Sequence, residues 1–227
     1  MALNIVEKVD GAVKVQHAIV SVSDKSGLDR LIPGLLAANP DVKLYSTGGS
    51  HKAIADLLGA EQSARSLVSI ADYTGQPEMQ GGLVKTLDFK IYLGLLGETC
   101  NPDHARDLER AGAVAFDIVV VNLYPFQATV ARPEVTPEQA RTHIDIGGPC
   151  MIRAAAKNFL RVAALTRPAD YESVLTELRA TEGCLSLPTR FELAARAFEH
   201  TAQYDRAIGD YFGARTDVEV ASCYQVQ

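Results

Sequence analysis

The chain has 227 residues, 47% of them hydrophobic and 22% charged, a balance that suits a globular protein with a substantial core and excludes a disordered one. A formal net charge of −6 argues against general affinity for a nucleic-acid backbone, which needs clustered Lys and Arg, so any phosphate site must be local. Cys100, Cys150, Cys184 and Cys223 form no CxxC pair and have no His at ligand spacing, which speaks against zinc or a disulfide framework and for reduced thiols in the cytoplasm.

No apolar run approaches the roughly 20 residues of a membrane span, and residues 1–10 lack a basic-then-apolar leader pattern. In chain order, short β-branched runs alternate with amphipathic stretches, the pattern of βαβ units and a mostly parallel sheet flanked by helices. Residues 18–22 predict the first buried strand, and 27–38 a helix through Leu28, Leu31, Ile32, Leu35 and Leu36, with Pro33 and Gly34 predicting a kink or a later start. Residues 42–45 read as a second strand, 50–58 as a second helix and 66–70 as a third strand, before a Gly/Pro-punctuated loop over 72–82.

A helix is predicted over 101–111, and the almost wholly apolar DIVVVN run at 117–122 reads as a central strand buried on both faces. Further helices are expected at 136–143 and, opened by a first-position proline, at 149–158, with a last strand at 162–166. Ser186 caps a predicted long helix, 187–211, whose stripe Leu187, Phe191, Ala194, Ala195, Phe198 and Ala202 faces the sheet or a partner subunit. The alternating tail 217–227 leaves an edge strand and disorder open. With no repeat and no composition break, one unit is expected: an α/β core at 16–166, a helical extension at 167–215 and the tail.

Two strand-to-helix turns consist of small hydroxyl residues and glycine: SVSDKSG at 21–27, with Ser21, Ser23 and Lys25, and STGGS at 46–50, with Ser46, Thr47, Gly48, Gly49 and Ser50. In a parallel sheet such turns lie at the carboxyl ends of strands, where glycine lets backbone N–H groups approach an anion that the helix dipole also favours. Neither turn is a Walker loop or a GxGxxG fingerprint, so triphosphate and dinucleotide readings lack support. Taken alone, both turns also read as ordinary helix caps and Lys25 as a solvated lysine.

A glycine-hinged GGLVKTL segment at 81–87 presents Lys85 and Thr86. At 122–126, NLYPF puts Asn122 and Tyr124 at the end of the apolar strand, although a capping aromatic with a satisfied hydroxyl explains Tyr124 equally well. Asp145-Ile146-Gly147-Gly148 runs into the helix that carries Arg153, Lys157 and Asn158; Asp145 and Lys157 read either as site residues or as a structural ion pair.

The series SVSDKSG, YSTGGS, TGQPEMQGGLVKTL, DIVVVNLYPF, IDIGGPCMIRAAAKN, PADYESVL and AARAFEHTAQYDRAI resembles the cyclohydrolase domain of the bifunctional enzyme that finishes inosine monophosphate synthesis, over about 16–212. A looser resemblance, through STGGS and the strand order, is to methylglyoxal-synthase-like domains. The resemblance implies ring closure of a formylated aminoimidazole carboxamide ribonucleotide, with its monophosphate in the two hydroxyl-glycine turns. By motif position it implies that Lys85, Tyr124, Asp145 and Lys157 are catalytic and that Thr86, Asn122, Ile146 and Gly147 contact the base. No metal or organic cofactor is implied.

Two departures stand out. The KTL motif of that family is usually preceded by Gly-Arg-Val and followed by His-Pro, whereas here Leu83 replaces the arginine and Asp88-Phe89 the His-Pro pair. Asp88, His104, Arg106 and Arg153 are the candidates to compensate. The chain also ends without the transformylase domain usually fused to this module, so a separate transformylase protein is expected. Two rivals to an active cyclohydrolase stay open: a methylglyoxal-synthase-like phosphate lyase, and a module that binds the nucleotide without turning it over. The apolar stripe of 187–211 and the tail at 218–226 leave a homodimer and an intramolecular dock equally open, and no nucleic-acid or membrane partner is expected.

Overall fold

The computed structural model describes residues 5–76 and 85–225. Its centre is a parallel sheet of five strands: β2 (His17–Val22), β3 (Lys43–Ser46), β4 (Leu67–Ser69), β5 (Ile118–Asn122) and β6 (Ala163–Leu165), in the order β4-β3-β2-β5-β6. Alternation along the strands divides the core into two layers. Ala18, Val20, Ile118 and Val120 point to one face, against helices α1 (Leu28–Ala38) and α9 (Tyr171–Ala180). Ile19, Val119 and Val121 point to the other, against α4 (Phe89–Leu96), α8 (Gly147–Lys157) and the long α10 (Leu187–Gly213). A strand buried on both faces cannot alternate apolar with polar, which is why these runs read as continuous hydrophobics.

The predicted strands all form, with ends shifted by a residue or so. The apolar strand β5 is interior, paired to both β2 and β6, while β2 occupies the middle. α1 runs unbroken from Leu28 through Pro33. Gly34 is there for packing: a Cβ at that position would lie 2.5 Å from the Leu175 side chain, so the α1–α9 approach needs a bare backbone.

Several expectations are corrected. The second helix, α2 (Gly48–Ser66), extends past 58 by breaking at Gly59, whose φ of 71° only glycine takes cheaply. Residues 70–74 form a short helix, α3 (Ile70–Thr74), capped by the Ser69 hydroxyl, rather than strand end and loop; the rest of that predicted loop from 77 to 82 lies outside the described residues. Helix α5 (Pro102–Ala111) starts one residue later than predicted, with Asn101 as its cap and not its first residue. α8 begins at Gly147, so Pro149 is its third residue and not its first.

The tail is helical, α11 (Asp217–Ala221), because Thr216 and Glu219 form a reciprocal capping box that outweighs the Val218/Val220 alternation. On α10, Ser186 does cap, accepting from the Thr189 N–H, but the buried stripe is Arg190, Leu193, Ala194, Ala197, Thr201, Tyr204 and Tyr211. Phe191 and Phe198, assigned to a stripe facing the sheet or a partner subunit, are 58% and 39% exposed and so do not face the sheet. The stripe was misjudged because its inward members include an arginine, a threonine and two tyrosines. A small antiparallel pair, β1 (Ala12–Lys14) with β7 (Cys184–Ser186), was not foreseen; three residues per strand carry too little period to count.

Arg190 is fully buried. Its guanidinium donates to the carbonyls of Asp10, Phe159, Leu160 and Leu185, and this saturation is what makes a buried charge tolerable.

Candidate active site

The chain order of the strands reverses at β2: the chain steps outward through β3 and β4, then returns to place β5 on the other side. The register aligns Val22 with Asn122 and Val20 with Ser46, so the carboxyl ends of these strands form one rim. At such a switch point the loops part and leave a crevice. A cavity of about 370 Å³ opens there. Of the residues singled out in the sequence, Ser21, Ser23, Lys25, Thr47, Gly48, Gly49, Ser50, Lys85, Thr86, Asn122, Tyr124, Asp145, Ile146 and Gly147 line it, although they span 127 positions from Ser21 to Gly147. Ser46 and Lys157 do not.

One end of the cavity carries features that favour an anion. Thr47 has extended backbone and makes no side-chain cap, so the first N–H groups of α2 are not capped from within the turn. Gly48, at φ 48°, starts the helix. A Cβ on Gly48 would sit 3.2 Å from Lys85 Nζ, and one on Gly49 3.7 Å from Lys25 Nζ. Two ammonium groups from distant segments therefore flank a helix N-terminus, where both the dipole and the free N–H groups favour negative charge.

Other hydroxyls and amides of the turns are committed to holding the rim in shape. Ser46 is fully buried and its Oγ donates to Val20 O at 2.6 Å, so it clips β3 to β2 and is not a ligand contact. Ser50 Oγ accepts from Val22 N at 2.9 Å and donates to Val22 O at 3.0 Å. Asn122 Oδ1 accepts from the N–H groups of Ser23 and Asp24 at 2.7 and 2.8 Å, and Nδ2 donates to Asp24 O at 2.8 Å. Asn122 thus shapes the 21–27 turn from the neighbouring strand.

At the opposite wall, Tyr124 is 52% exposed and Ile146 56% exposed, both on the cavity. Gly147 has no room for a side chain because a Cβ would meet Thr86 Oγ1 at 2.5 Å; Gly148 has none because it would meet Asp145 Oδ2 at 2.4 Å and Leu123 at 2.8 Å. The two glycines of the IDIGG motif let Thr86 and Asp145 close over the start of α8. Asp145 Oδ1 accepts from Gly148 N at 2.9 Å, and Oδ2 has no hydrogen-bond partner among the described residues. Burial pushes the Asp145 carboxyl above its ordinary range, only partly offset by the Gly148 N–H.

Lys157 is the last residue of α8, exposed, and about 15 Å of helix separates it from Gly147 at 1.5 Å per residue. It does not meet Asp145, so the ion-pair reading fails together with any shared role at the rim. None of the suggested compensating residues lines the cavity. Asp88 caps α4 through Lys90 N, His104 accepts from Glu98 N, Arg106 pairs with Asp103, and Arg153 lies over the Phe198 ring. Leu83 lies outside the described residues.

Val22 and Leu87, inside the quoted motifs, complete the lining together with Thr142, Ile144, Gly148 and Met151, which were not foreseen. Gly148 alone had a signal, as the second glycine of its motif; the others come from segments with no turn or charge pattern. No helix among the described residues is long and apolar enough to cross a membrane, and no cluster of His, Cys, Asp and Glu suited to a metal ion is present among them.

The family described as "MGS-like domain" matches residues 31–150. The chain belongs to the MGS-like family. The α/β architecture expected for it is the one observed, a five-stranded parallel sheet between helices. A second family, described as "AICARFT/IMPCHase bienzyme", matches residues 155–227 of this MGS-like chain, covering α9 and α10.

The bifunctional purine biosynthesis protein PurH of Leptospira biflexa is 43% identical over 207 residues, which are 91% of this chain and 39% of that protein. The PurH of Neisseria meningitidis serogroup A is 44% identical over 203 residues, 89% of this chain and 37% of that protein. The chain thus spans about two fifths of the length of these curated relatives. The crystal structure of ForH superposes with a TM-score of 0.74 at 32% identity, covering 88% of this chain and 97% of ForH.

Proposed function

We propose that this protein is an IMP cyclohydrolase, closing the pyrimidine ring of 5-formamidoimidazole-4-carboxamide ribonucleotide to give inosine monophosphate and water. One observation carries the reading: a helix N-terminus flanked by Lys25 and Lys85 shares a cavity with Tyr124 and a half-buried Asp145. The likeness to PurH proteins over nine tenths of the chain supports it. In this reading the ribose monophosphate rests on Gly48 and Gly49, and the imidazole lies between Thr86, Ile146 and Gly147.

The carboxamide nitrogen then attacks the formyl carbon, and the formyl oxygen leaves as water with one proton from that nitrogen and one from the formamide nitrogen. Holding nitrogen and carbon in contact removes most of the entropic barrier. Lys85 and Tyr124 shepherd the proton of the attacking nitrogen. Asp145, whose burial favours the protonated form, donates to the departing oxygen. Such acid–base help is worth about 10²–10⁴-fold. Lys157 has no part in this mechanism, and no metal or organic cofactor is invoked.

The test is direct: purified protein is incubated with the formylated ribonucleotide and purine absorbance is followed. Turnover well above the spontaneous rate is expected, and Lys85→Ala should lower it about 10²-fold while leaving the thermal midpoint nearly unchanged. A binding-only module draws some support from the fact that Lys25 and Lys85 are the two cationic side chains lining the cavity among the described residues. Retained IMP binding without turnover would establish that module instead.

Three further elements belong to the proposal. The reaction takes place in the cytoplasm, its formylated substrate comes from a formyl-transfer reaction, and the exposed Phe191 and Phe198 of α10 support a homodimer. Light scattering at a single-chain mass would overturn the dimer.

A further inference from the structure

We infer that Tyr204, on α10 and outside the cavity lining, is a positioning residue that braces both chemical walls of the site; the inference rests on the cyclohydrolase reading. Its hydroxyl accepts from the Asp145 backbone N–H at 2.8 Å and donates to His143 O at 3.4 Å. Its ring stands edge-on to Phe126, centroids 6.3 Å apart. Phe126 is 1% exposed and opens the short helix α6 (Phe126–Val130), two residues after Tyr124.

One side chain therefore touches the segment that carries Asp145 and the segment that carries Tyr124. Among the described residues, the Asp145 carboxylate is held by a single N–H, that of Gly148, and residues 143–146 belong to no helix or strand. A loop that must keep a carboxyl out of water needs an external anchor, and the buried phenol of Tyr204 supplies one with its donor and acceptor both used. Removing it frees the 143–146 segment to move the carboxyl toward solvent, relieving the burial that favours its protonated form.

Tyr211 provides the control. It lies on the same face of α10, two turns on, packs on Phe126 at 5.9 Å and donates to Val135 O at 3.4 Å, touching neither Asp145 nor its loop. Tyr204→Phe should lower kcat about ten- to a hundred-fold with KM changed less than about two-fold, and shift the alkaline fall of the rate to lower pH. Tyr204→Leu, losing the ring contact as well, should lose more. Tyr211→Phe should match Tyr204→Phe in thermal midpoint but keep the wild-type rate.

The Asp145 carboxyl, followed by carbon NMR, should titrate at lower pH in Tyr204→Phe than in the wild type. Unchanged titration overturns the inference whatever the rates are, as does a wild-type kcat and pH profile in Tyr204→Phe. A wild type that fails to turn over the formylated substrate would sink the cyclohydrolase reading instead, and the titration would still decide the role of Tyr204.

Discussion

The two rims of the sheet hold two aspartates in similar surroundings with opposite fates. Asp117, at the amino end of β5, is 1% exposed, and its Oδ2 accepts from the N–H groups of Gln16 and His17, both at 2.8 Å, while Oδ1 takes Arg161 Nη2 at 2.5 Å. Asp145, at the carboxyl rim, has one backbone donor, and its other oxygen has no hydrogen-bond partner among the described residues. Burial raises both carboxyls, but Arg161 and the two amides pull Asp117 back, whereas among the described residues the Gly148 N–H alone pulls Asp145. Desolvation alone therefore does not make a site. What separates a joint from a reactive group is whether the surrounding donors are already spent.

The largest effect expected from testing this contrast is at the amino rim. Asp117→Ala strands two backbone amides and a part-buried guanidinium, and should cost about 3–5 kcal/mol in urea unfolding, with nucleotide affinity unchanged in whatever protein remains folded. An affinity loss in the folded fraction would erase the distinction between the rims.

A smaller effect belongs to Asp145 and concerns pH. A carboxyl raised above its ordinary range keeps its proton further up the scale, so the donor form is present at low pH and is lost as pH climbs through the raised value. Turnover should fall along that limb. The same sign applies to the fold, whose stability from this group is greatest below the ordinary carboxylate range and erodes as pH rises. Asp145→Asn keeps a donor but cannot titrate, so it should retain more activity than Asp145→Ala and show no alkaline limb. A limb that persists in Asp145→Asn would assign it to another group.

The smallest effect sharpens the comparison within the carboxyl rim itself. Ser46→Ala removes the clip to Val20 O and should cost about 1 kcal/mol of stability. KM should not move, because the hydroxyl is spent on the backbone. A clear rise in KM would return Ser46 to the binding surface.

Much of this was legible in the residues. Val119, Val120 and Val121 could belong only to a strand covered on both sides, and the hydroxyl-glycine turns after β2 and β3 led to the correct rim. Inward from there the sequence loses its voice for definite reasons. A serine that grips a carbonyl and a serine that would grip a phosphate are the same letter, so Ser46 and Thr47 could not be told apart. Lys157 shares a motif with Asp145, but the helix between them carries it away. Tyr204 lay in the quoted AFEHTAQYD segment without a role, because its partners are 59 and 78 residues distant in the chain and no local pattern announces them. Thr216 and Glu219, by contrast, announced a helix that the valine alternation obscured.

Arg190 has a consequence for how the protein comes into being. Its guanidinium holds the Asp10 carbonyl across 180 residues, together with carbonyls at 159, 160 and 185. A chain emerging from the ribosome amino end first, at about 5–20 residues per second, cannot tie this knot until the start of α10 is out. Until Arg190 arrives, the carbonyls of Asp10, Phe159 and Leu160 lack this donor, and the nascent chain should stay open to proteases.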